Sequence, residues 1–434
     1  MNILTCLFVV IAGTIITGCM ESSPGKAQHN TGDSSLVNTS HLDYLTIPVT
    51  FPTGVKASGI YIYAEAPDYR FVTDSDEGFT CIDDVARAAQ VYVRSVHFSA
   101  DTAMQIRAVN LIRFILEMQS ENGYFYNFLF PGDSINKTGS TSINGPHWWS
   151  WRALQTLTEA APLIKNIDTA LAAKMDISAY RLVQKIKTDL VKIPATSKRV
   201  SGISVPQWLP AGSATDQAAI LILGLIPYSK ANRDTALAAY IKKLADGIVM
   251  MQMGDTAHFP YSCFLSWENI WHAYGSDQAY ALFKAAAFFK DSSYSQKALE
   301  EVAHFYPWLL KTGFKASFSV IKKGNAFTAE GEKRYAQIAY GIRPMVFSAA
   351  EAYRVTGEDK YADIAGNLGS WLAGNNEAGR NMYDPLTGRC YDGIIGKDSI
   401  NHNSGAESTI EALLAMQMVE KYPAIKAAYY KYKK

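Results

Sequence analysis

Residues 216–252 read "DQAAILILGLIPYSKANRDTALAAYIKKLADGIVMMQ", and the two halves differ in kind. "AAILILGLI" is apolar on every side, the mark of a helix buried all round. "DTALAAYIKKLADGIVMMQ" is amphipathic, with a charged stripe that faces water. The link between them, "YSKANRD", is short and polar and reads as a plain connector. The stretch therefore predicts a hairpin of one buried and one half-exposed helix. The pattern recurs along the chain. Helical segments begin near residues 83, 101, 148, 170, 215, 233, 274, 293, 335, 358, 404 and 423. Among the first members are "AYALFKAAAFF" after Asp277 and "GIRPMVFSAAEAY" after Tyr340; "DTAMQIRAVNLIRFILEMQ" is a second member. Twelve helices in six hairpins, alternately buried and half-exposed, predict an all-α fold of two concentric rings.

An internal repeat supports this reading. "EMQSENGYFYNF" (117–128) and "MMQMGDTAHFPYS" (250–262) both close a second-member helix with Met-Gln, a polar turn and aromatics. "GNNEAGRNMYDPLTGRCYDG" (374–393) is a longer version. Recurrence at this spacing signals a repeat architecture. Residues 44–80 differ: "YLTIPVTFP" and "GIYIYAEA" have strand character and read as a short N-terminal extension. From about residue 80 to 434 the chain resembles the six-hairpin glycosidase superfamily, the (α/α)6 toroids. The resemblance implies a carbohydrate-active enzyme. The superfamily also holds polysaccharide lyases, epimerases and phosphorylases, and fold alone does not decide function.

The loops entering the first-member helices are expected at one end of such a ring, and they are rich in polar and aromatic residues. They hold Thr80, Asp83, Asp84 and Arg87; Asn144, His147, Trp148, Trp149 and Trp151; Gln207, Trp208 and Asp216; and Trp267, Glu268, Asn269, His272, Tyr274, Asp277 and Gln278. The last two hold Tyr335, Gln337, Tyr340 and Arg343, then "NHNSGAEST" (401–409) with Asn401, His402, Asn403 and Glu407. Trp271 is read as starting the fourth inner helix. The opposite loops, "FSAD", "YSKANRD", "FKDSS" and "TGEDK", are simple. Rings beside carboxylates and amides at a concave rim suit a sugar: the rings stack on C–H faces and the polar groups bind hydroxyls. Any one of the polar residues would also serve as a helix cap, Ser404-x-x-Glu407 being a possible capping box.

Glycoside hydrolysis needs two carboxyl groups, ~6.5–9.5 Å apart for inversion and about 5–5.5 Å for retention. The superfamily resemblance implies inversion. "CIDDVARA" starts the first inner helix with Asp83 and Asp84. Side chains of adjacent helical residues diverge by about 100°, so one faces the substrate while the other caps the helix or pairs with Arg87. The Asp-Asp pair resembles that of sugar-processing (α/α)6 enzymes such as the unsaturated glucuronyl hydrolases, which implies an acid/base role for one of the two. Ring closure brings the last inner helix, with Glu407 and Glu411, beside them. Glu268 is the third candidate. The catalytic set is thus Asp83, Asp84, Glu268 and Glu407. His147, Trp148, Trp149, Trp208, Asp216, Trp267, His272, Tyr340, Arg343, Asn401, His402 and Asn403 are expected to bind substrate. Elimination chemistry is the alternative, with a base from His147, His272, His402, Tyr261 or Tyr340 and Arg343 against a uronate. A glycan-binding protein without catalysis is the other.

With 48% hydrophobic and 19% charged residues and a net charge of +1, the chain excludes a nucleic-acid binder that tracks a phosphate backbone. The start, "MNILTCLFVVIAGTIITGC", resembles a bacterial lipoprotein signal peptide with Ile16-Thr17-Gly18-Cys19 as lipobox, though it lacks Lys and Arg. That resemblance implies lipidation at Cys19 and a membrane-anchored protein of the cell envelope. A short transmembrane anchor is the alternative, but the apolar run falls short of the ~20 residues needed to span a bilayer. The expected organisation is a signal peptide at 1–19, a flexible tether at 20–43, the extension at 44–80 and the toroid at 81–434. Cys81, Cys263 and Cys390 form neither a disulfide framework nor a zinc motif and are read as core thiols. "DSDEG" (74–78) is read as a solvated turn rather than a calcium loop. No metal or cofactor is implied, the partner is an oligo- or polysaccharide, and a monomer is expected.

Overall fold

The computed structural model describes residues 35–434, and its helices are set by what stands at their ends. They are α1 (Ser40–Leu45), α2 (Ile82–Val93), α3 (Thr102–Glu117), α4 (Trp148–Ile164), α5 (Thr169–Asp189), α6 (Thr215–Asn232) and α7 (Thr235–Met250). Then follow α8 (Gln278–Phe289), α9 (Ser292–Thr312), α10 (Ala339–Thr356), α11 (Asp359–Gly369), α12 (Ala406–Lys421) and α13 (Pro423–Tyr432). Asp101, Asp168, Asp234 and Asp291 stand at the N-caps of α3, α5, α7 and α9. Each side chain accepts a first-turn backbone N–H, from Met104, Leu171, Leu237 and Ser293. Just before, α6, α8 and α10 end on left-handed residues, Arg233, Lys290 and Gly357, which satisfy the last carbonyls and turn the chain back.

Six hairpins result. α2, α4, α6, α8, α10 and α12 pack each on the next, and α12 returns to α2 to close the inner ring. Their partners α3, α5, α7, α9, α11 and α13 lie outside. α6 is buried along almost its whole length, whereas α3 buries one face through Ala108, Leu111, Ile112, Phe114 and Ile115. The fold is the all-α (α/α)6 toroid.

Four expectations are corrected. α8 and α10 begin four residues later than the apolar pattern suggests. Before α8 the chain turns at Gly275, whose φ is +63° and where a Cβ would lie 2.6 Å from Tyr340 Oη. Before α10 it is extended, with Gln337 and Ile394 exchanging backbone hydrogen bonds of 3.0 and 2.9 Å. Trp271 is not helical. It lies in a strand, Ile270–His272, of a three-stranded antiparallel sheet with Ser317–Lys323 and Ala326–Lys333. Strand structure is therefore not confined to the extension, where Thr46–Thr50 pairs with Lys56–Ile60. It also shapes the loops entering the inner helices. Finally, the tether does not run to residue 43. Leu36 is buried, its N–H donates to Glu420 Oε1 at 2.6 Å, and α1 packs on α12. The signal segment 1–19 with Cys19, and residues 20–34, lie outside the described residues. No helix among the described residues is long and apolar enough to cross a membrane.

Candidate functional site

The inner helices start differently from the outer ones. The N-cap residues of α4, α6, α8, α10 and α12 make no side-chain cap. α2 is capped by the Cys81 thiol, which accepts the Asp84 N–H at 3.4 Å. The polar groups at this end are engaged otherwise. Asp277, at the N-cap of α8, gives its carboxylate to Arg343 Nη1 at 2.5 Å. Ser404 does not cap α12 and forms no capping box with Glu407. The N-cap is Gly405, and Ser404 Oγ accepts the Cys390 N–H at 3.2 Å. Asp392 holds the start of α12 instead, its Oδ1 accepting the Gly405 N–H (3.0 Å) and the Ser408 hydroxyl (2.7 Å).

A cavity of about 550 Å³ opens over these helix starts. α2 contributes Asp83, Asp84 and Arg87; α4 contributes Trp148, Trp149 and Arg152; α10 contributes Tyr340; and α12 contributes Glu407 and Ser408. Loops add Asn127, Phe128, Thr141, Tyr274 and Asp392, and the N-terminal extension adds Ile62, Tyr63 and Glu77.

Arg87 organises the floor. Its Nη2 lies 2.6 Å from Asp84 Oδ1, 3.0 Å from Asp83 Oδ2 and 3.3 Å from Glu407 Oε2, and its Nη1 lies 2.7 Å from Glu411 Oε1. Standing one turn on, it reaches both aspartates with one nitrogen; Asp83 is the more exposed to the cavity, while Asp84 is buried against Arg87 and Cys81. Arg152 Nε lies 2.6 Å from Asp83 Oδ1, off the hydrogen-bonding angle, and neither atom has an aligned partner. Buried polar atoms left in that state call for a functional account. Arg152 Nη2 also donates a close hydrogen bond to Tyr340 Oη. Arg343, behind, binds Glu411 Oε2 at 2.6 Å.

Three guanidiniums thus face five carboxyls: Asp83, Asp84, Asp277, Glu407 and Glu411. Wholly ionised, the cluster would be short of positive charge. Glu411 resolves toward the charged form: burial raises its pKa, but Arg343, Arg87 and Arg152 outweigh that and hold it below the ordinary value. Glu407 resolves the other way. Its contacts to Arg87 are the longest, and burial, reinforced by Asp84, Glu411 and Asp83, outweighs Arg87 and lifts its carboxyl to about 7. Its side chain is half-buried, with 43% of its surface exposed, so its proton is reachable from the cavity. Burial also raises Asp84, against Arg87, and pushes the Tyr340 phenol up, against Arg152 and Arg87.

Of the residues singled out in the sequence, Asp83, Asp84, Arg87, Glu407, Trp148, Trp149, Tyr274 and Tyr340 meet in this cavity. The other expected catalytic and substrate-binding residues do not line it. Glu268 sits at a turn with φ +50° and binds Lys198 at 2.6 Å. Trp208 is buried with its indole N–H on the Lys243 carbonyl, and Trp267 lies against Ala211. Asp216 and His272 form a buried pair at 3.0 Å, with His272 stacked on Tyr274. His147 packs on Trp149, its pKa lowered by burial, and Arg343 lies beneath the floor. Asn401 accepts the Asn403 N–H, Asn403 Oδ1 accepts the Ala66 N–H, and His402 lies against Tyr391 beside a separate cavity. "DSDEG" closes on itself, Asp74 Oδ1 accepting the N–H groups of Asp76 and Glu77.

Arg152, Asp392, Asn127, Tyr63 and Glu77 were not read from the sequence as site residues. Arg152 had a signal: a lone arginine inside the apolar run "WWSWRALQTL". Tyr63 lies in the strand Tyr63–Glu65, foreseen only as part of the extension, and Asp392, Asn127 and Glu77 belong to irregular segments with no periodicity to place them.

No family model and no curated protein sequence matches the chain. Solved structures do. Cellobiose 2-epimerase from Bacillus thermoamylovorans superposes with TM-score 0.56 at 11% identity over 84% of this chain and 92% of that one. A D-mannose isomerase gives 0.56 at 13% over 86% and 95%, and the cellulase Cel9M of C. cellulolyticum 0.51 at 12% over 85% and 89%. At these identities the likeness is one of fold alone, the (α/α)6 toroid.

Proposed function

We propose that the chain is a carbohydrate-active enzyme, a glycoside hydrolase that cleaves an oligo- or polysaccharide in the cavity over α2, α4, α10 and α12. One observation carries the reading. Glu407, with its carboxyl lifted to about 7, shares a cavity with an Asp83 carboxylate gripped by Arg87 and Arg152. The first is a general acid for the glycosidic oxygen; the second is an anion for the anomeric carbon. The fold, common to an epimerase, an isomerase and a cellulase, supports sugar chemistry in general. Trp148, Trp149, Tyr274 and Tyr340 supply faces for the pyranose ring.

Asp83 Oδ2 and Glu407 Oε2 lie 3.0 and 3.3 Å from one guanidinium nitrogen. The pair is therefore close enough for Asp83 to act as nucleophile in retention or as base in the inversion implied by the superfamily resemblance. The elimination alternative is weaker. Among the described residues no histidine lines the cavity, and the raised Tyr340 phenol is a poor base.

A glycan panel followed by reducing-end release, with ultraviolet absorbance for an unsaturated product, tests the reading. Reducing ends lost in Glu407→Gln and Asp83→Asn support it; an unsaturated product sinks it. The anomer first released, read by NMR, decides retention against inversion. We also read the protein as a membrane-anchored envelope lipoprotein. Palmitate labelling that survives Cys19→Ala would refute that.

A further inference from the structure

We propose that the sugar unit held in this cavity carries no carboxylate, sulfate or phosphate, and that the substrate is a neutral or amino-bearing glycan. The inference rests on the hydrolase reading above and names its substrate class. Among the described residues only two cationic side chains line the cavity, Arg87 and Arg152. Both are committed to carboxylates. Arg87 directs Nε to the Asp83 carbonyl and its two terminal nitrogens to Asp83, Asp84, Glu407 and Glu411. Arg152 sets Nε against Asp83 and donates Nη2 to Tyr340. Arg87 has no free fork to recognise a carboxylate or sulfate bidentately, and at Arg152 such a group competes with Asp83.

The carboxyls outnumber them. Besides Asp83, Asp84 and Glu407, the cavity is lined by Glu77 and Asp392, and neither of these has a cationic partner among the described residues. Asp392 Oδ1 is held by the Gly405 N–H and the Ser408 hydroxyl, while Glu77 accepts the Tyr63 hydroxyl at 3.1 Å and the Thr141 hydroxyl at 3.4 Å. An anionic sugar entering here meets like charge and no spare donor cation. Neutral hydroxyls find acceptors, and an ammonium group finds two unpaired carboxylates. The Asp-Asp resemblance to the unsaturated glucuronyl hydrolases therefore does not extend to their substrate.

The test is equilibrium binding by calorimetry, near neutral pH and at low salt, of two matched methyl glycoside sets, one for each anomer. Each set comprises the glucoside, glucosaminide and glucuronide of one anomer, with the galacto counterparts run alongside. The expected result is that neutral or amino glycosides bind and that the uronide of the same set binds roughly tenfold more weakly, the size of one like-charge interaction at ~7 Å in a partly hydrated site. In the double variant Glu77→Gln/Asp392→Asn, whose amide oxygens keep the bonds from the Tyr63 hydroxyl and from Gly405 and Ser408, that gap narrows. A uronide that binds more tightly than its neutral partner, with Glu407-dependent hydrolysis intact on polymers, overturns the inference alone. A gap unchanged in the double variant also overturns it, since the two unpaired carboxylates are then not its cause. Failure of every glycoside to bind overturns the carbohydrate reading and this inference with it.

Discussion

Glu301 gives a prediction whose size follows from its surroundings. It lies on α9, 3% exposed, with Oε1 accepting the Phe264 N–H at 2.8 Å and Oε2 accepting the Tyr306 hydroxyl at 3.2 Å. No lysine or arginine is bound to it among the described residues. Burial dominates the two hydrogen bonds and carries its carboxyl from 4.5 to about 8. The folded protein therefore keeps a proton that the unfolded chain releases above pH 4.5. The contribution is fully present below that pH and is lost as pH rises through about 8. At about 1.36 kcal/mol per unit, the loss amounts to about 4–5 kcal/mol. Glu301→Gln removes the titration while preserving shape and the acceptor for Phe264. Chemical denaturation of native and variant protein should be followed in parallel from pH 5 to pH 9, where every other titrating group cancels in the difference. The variant is expected to be no more stable than the native protein at pH 5, and to become the more stable of the two by pH 9. A difference that does not change with pH would refute the reasoning.

Other outcomes are as specific. Glu407 must be protonated to act as an acid, so kcat/KM should hold at low pH and fall as pH rises past about 7. Glu407→Gln should cost about 10²–10⁴ in rate, and a falling limb that persists in the variant's residual activity would assign it to another group. Arg343→Met strands the buried Asp277 and leaves Glu411 with Arg87 alone, and should cost about 3–5 kcal/mol of stability, measured by denaturation. Gly405→Ala would put a Cβ 2.2 Å from the Ile62 carbonyl, the acceptor of the Ala406 N–H. That clash is with backbone and has no rotamer escape. A loss of about 1–3 kcal/mol is expected, with faster proteolysis in residues 44–80; unchanged proteolysis would mean that the extension is not pinned at this point.

The helices were legible because burial imposes a period. α6 is apolar on all sides since α4, α7 and α8 pack around it, and its start at Thr215 is where the pattern places it. α8 and α10 were misplaced by a turn because Gly275 and the extended pairing at Gln337 act through tertiary contacts that carry no period. The same limit governs the site. Asp83, Asp84, Trp148, Trp149, Tyr340 and Glu407 stand in or beside the first turn of an inner helix, whose direction is fixed, and they reach the cavity. Glu268, His402 and Asn403 stand on loops that fold into small sheets of their own, and the local strand register turns them elsewhere. Asp392 and Glu77 arrive from irregular segments, and nothing in their flanking sequence distinguishes them from solvated acids.

The aspartate-capped connectors lie on the face away from this cavity. There the chain is exposed from Lys230 to Arg233, and the hairpin is held by its own cap rather than by the rest of the ring. A short surface loop of that kind tolerates cutting and insertion. This side of the protein is where new termini, a fused reporter or an immobilising tag belong. Because each hairpin leans mainly on its two neighbours, a chain divided at such a point yields halves with complementary edges, a basis for rebuilding the cavity by reassembly.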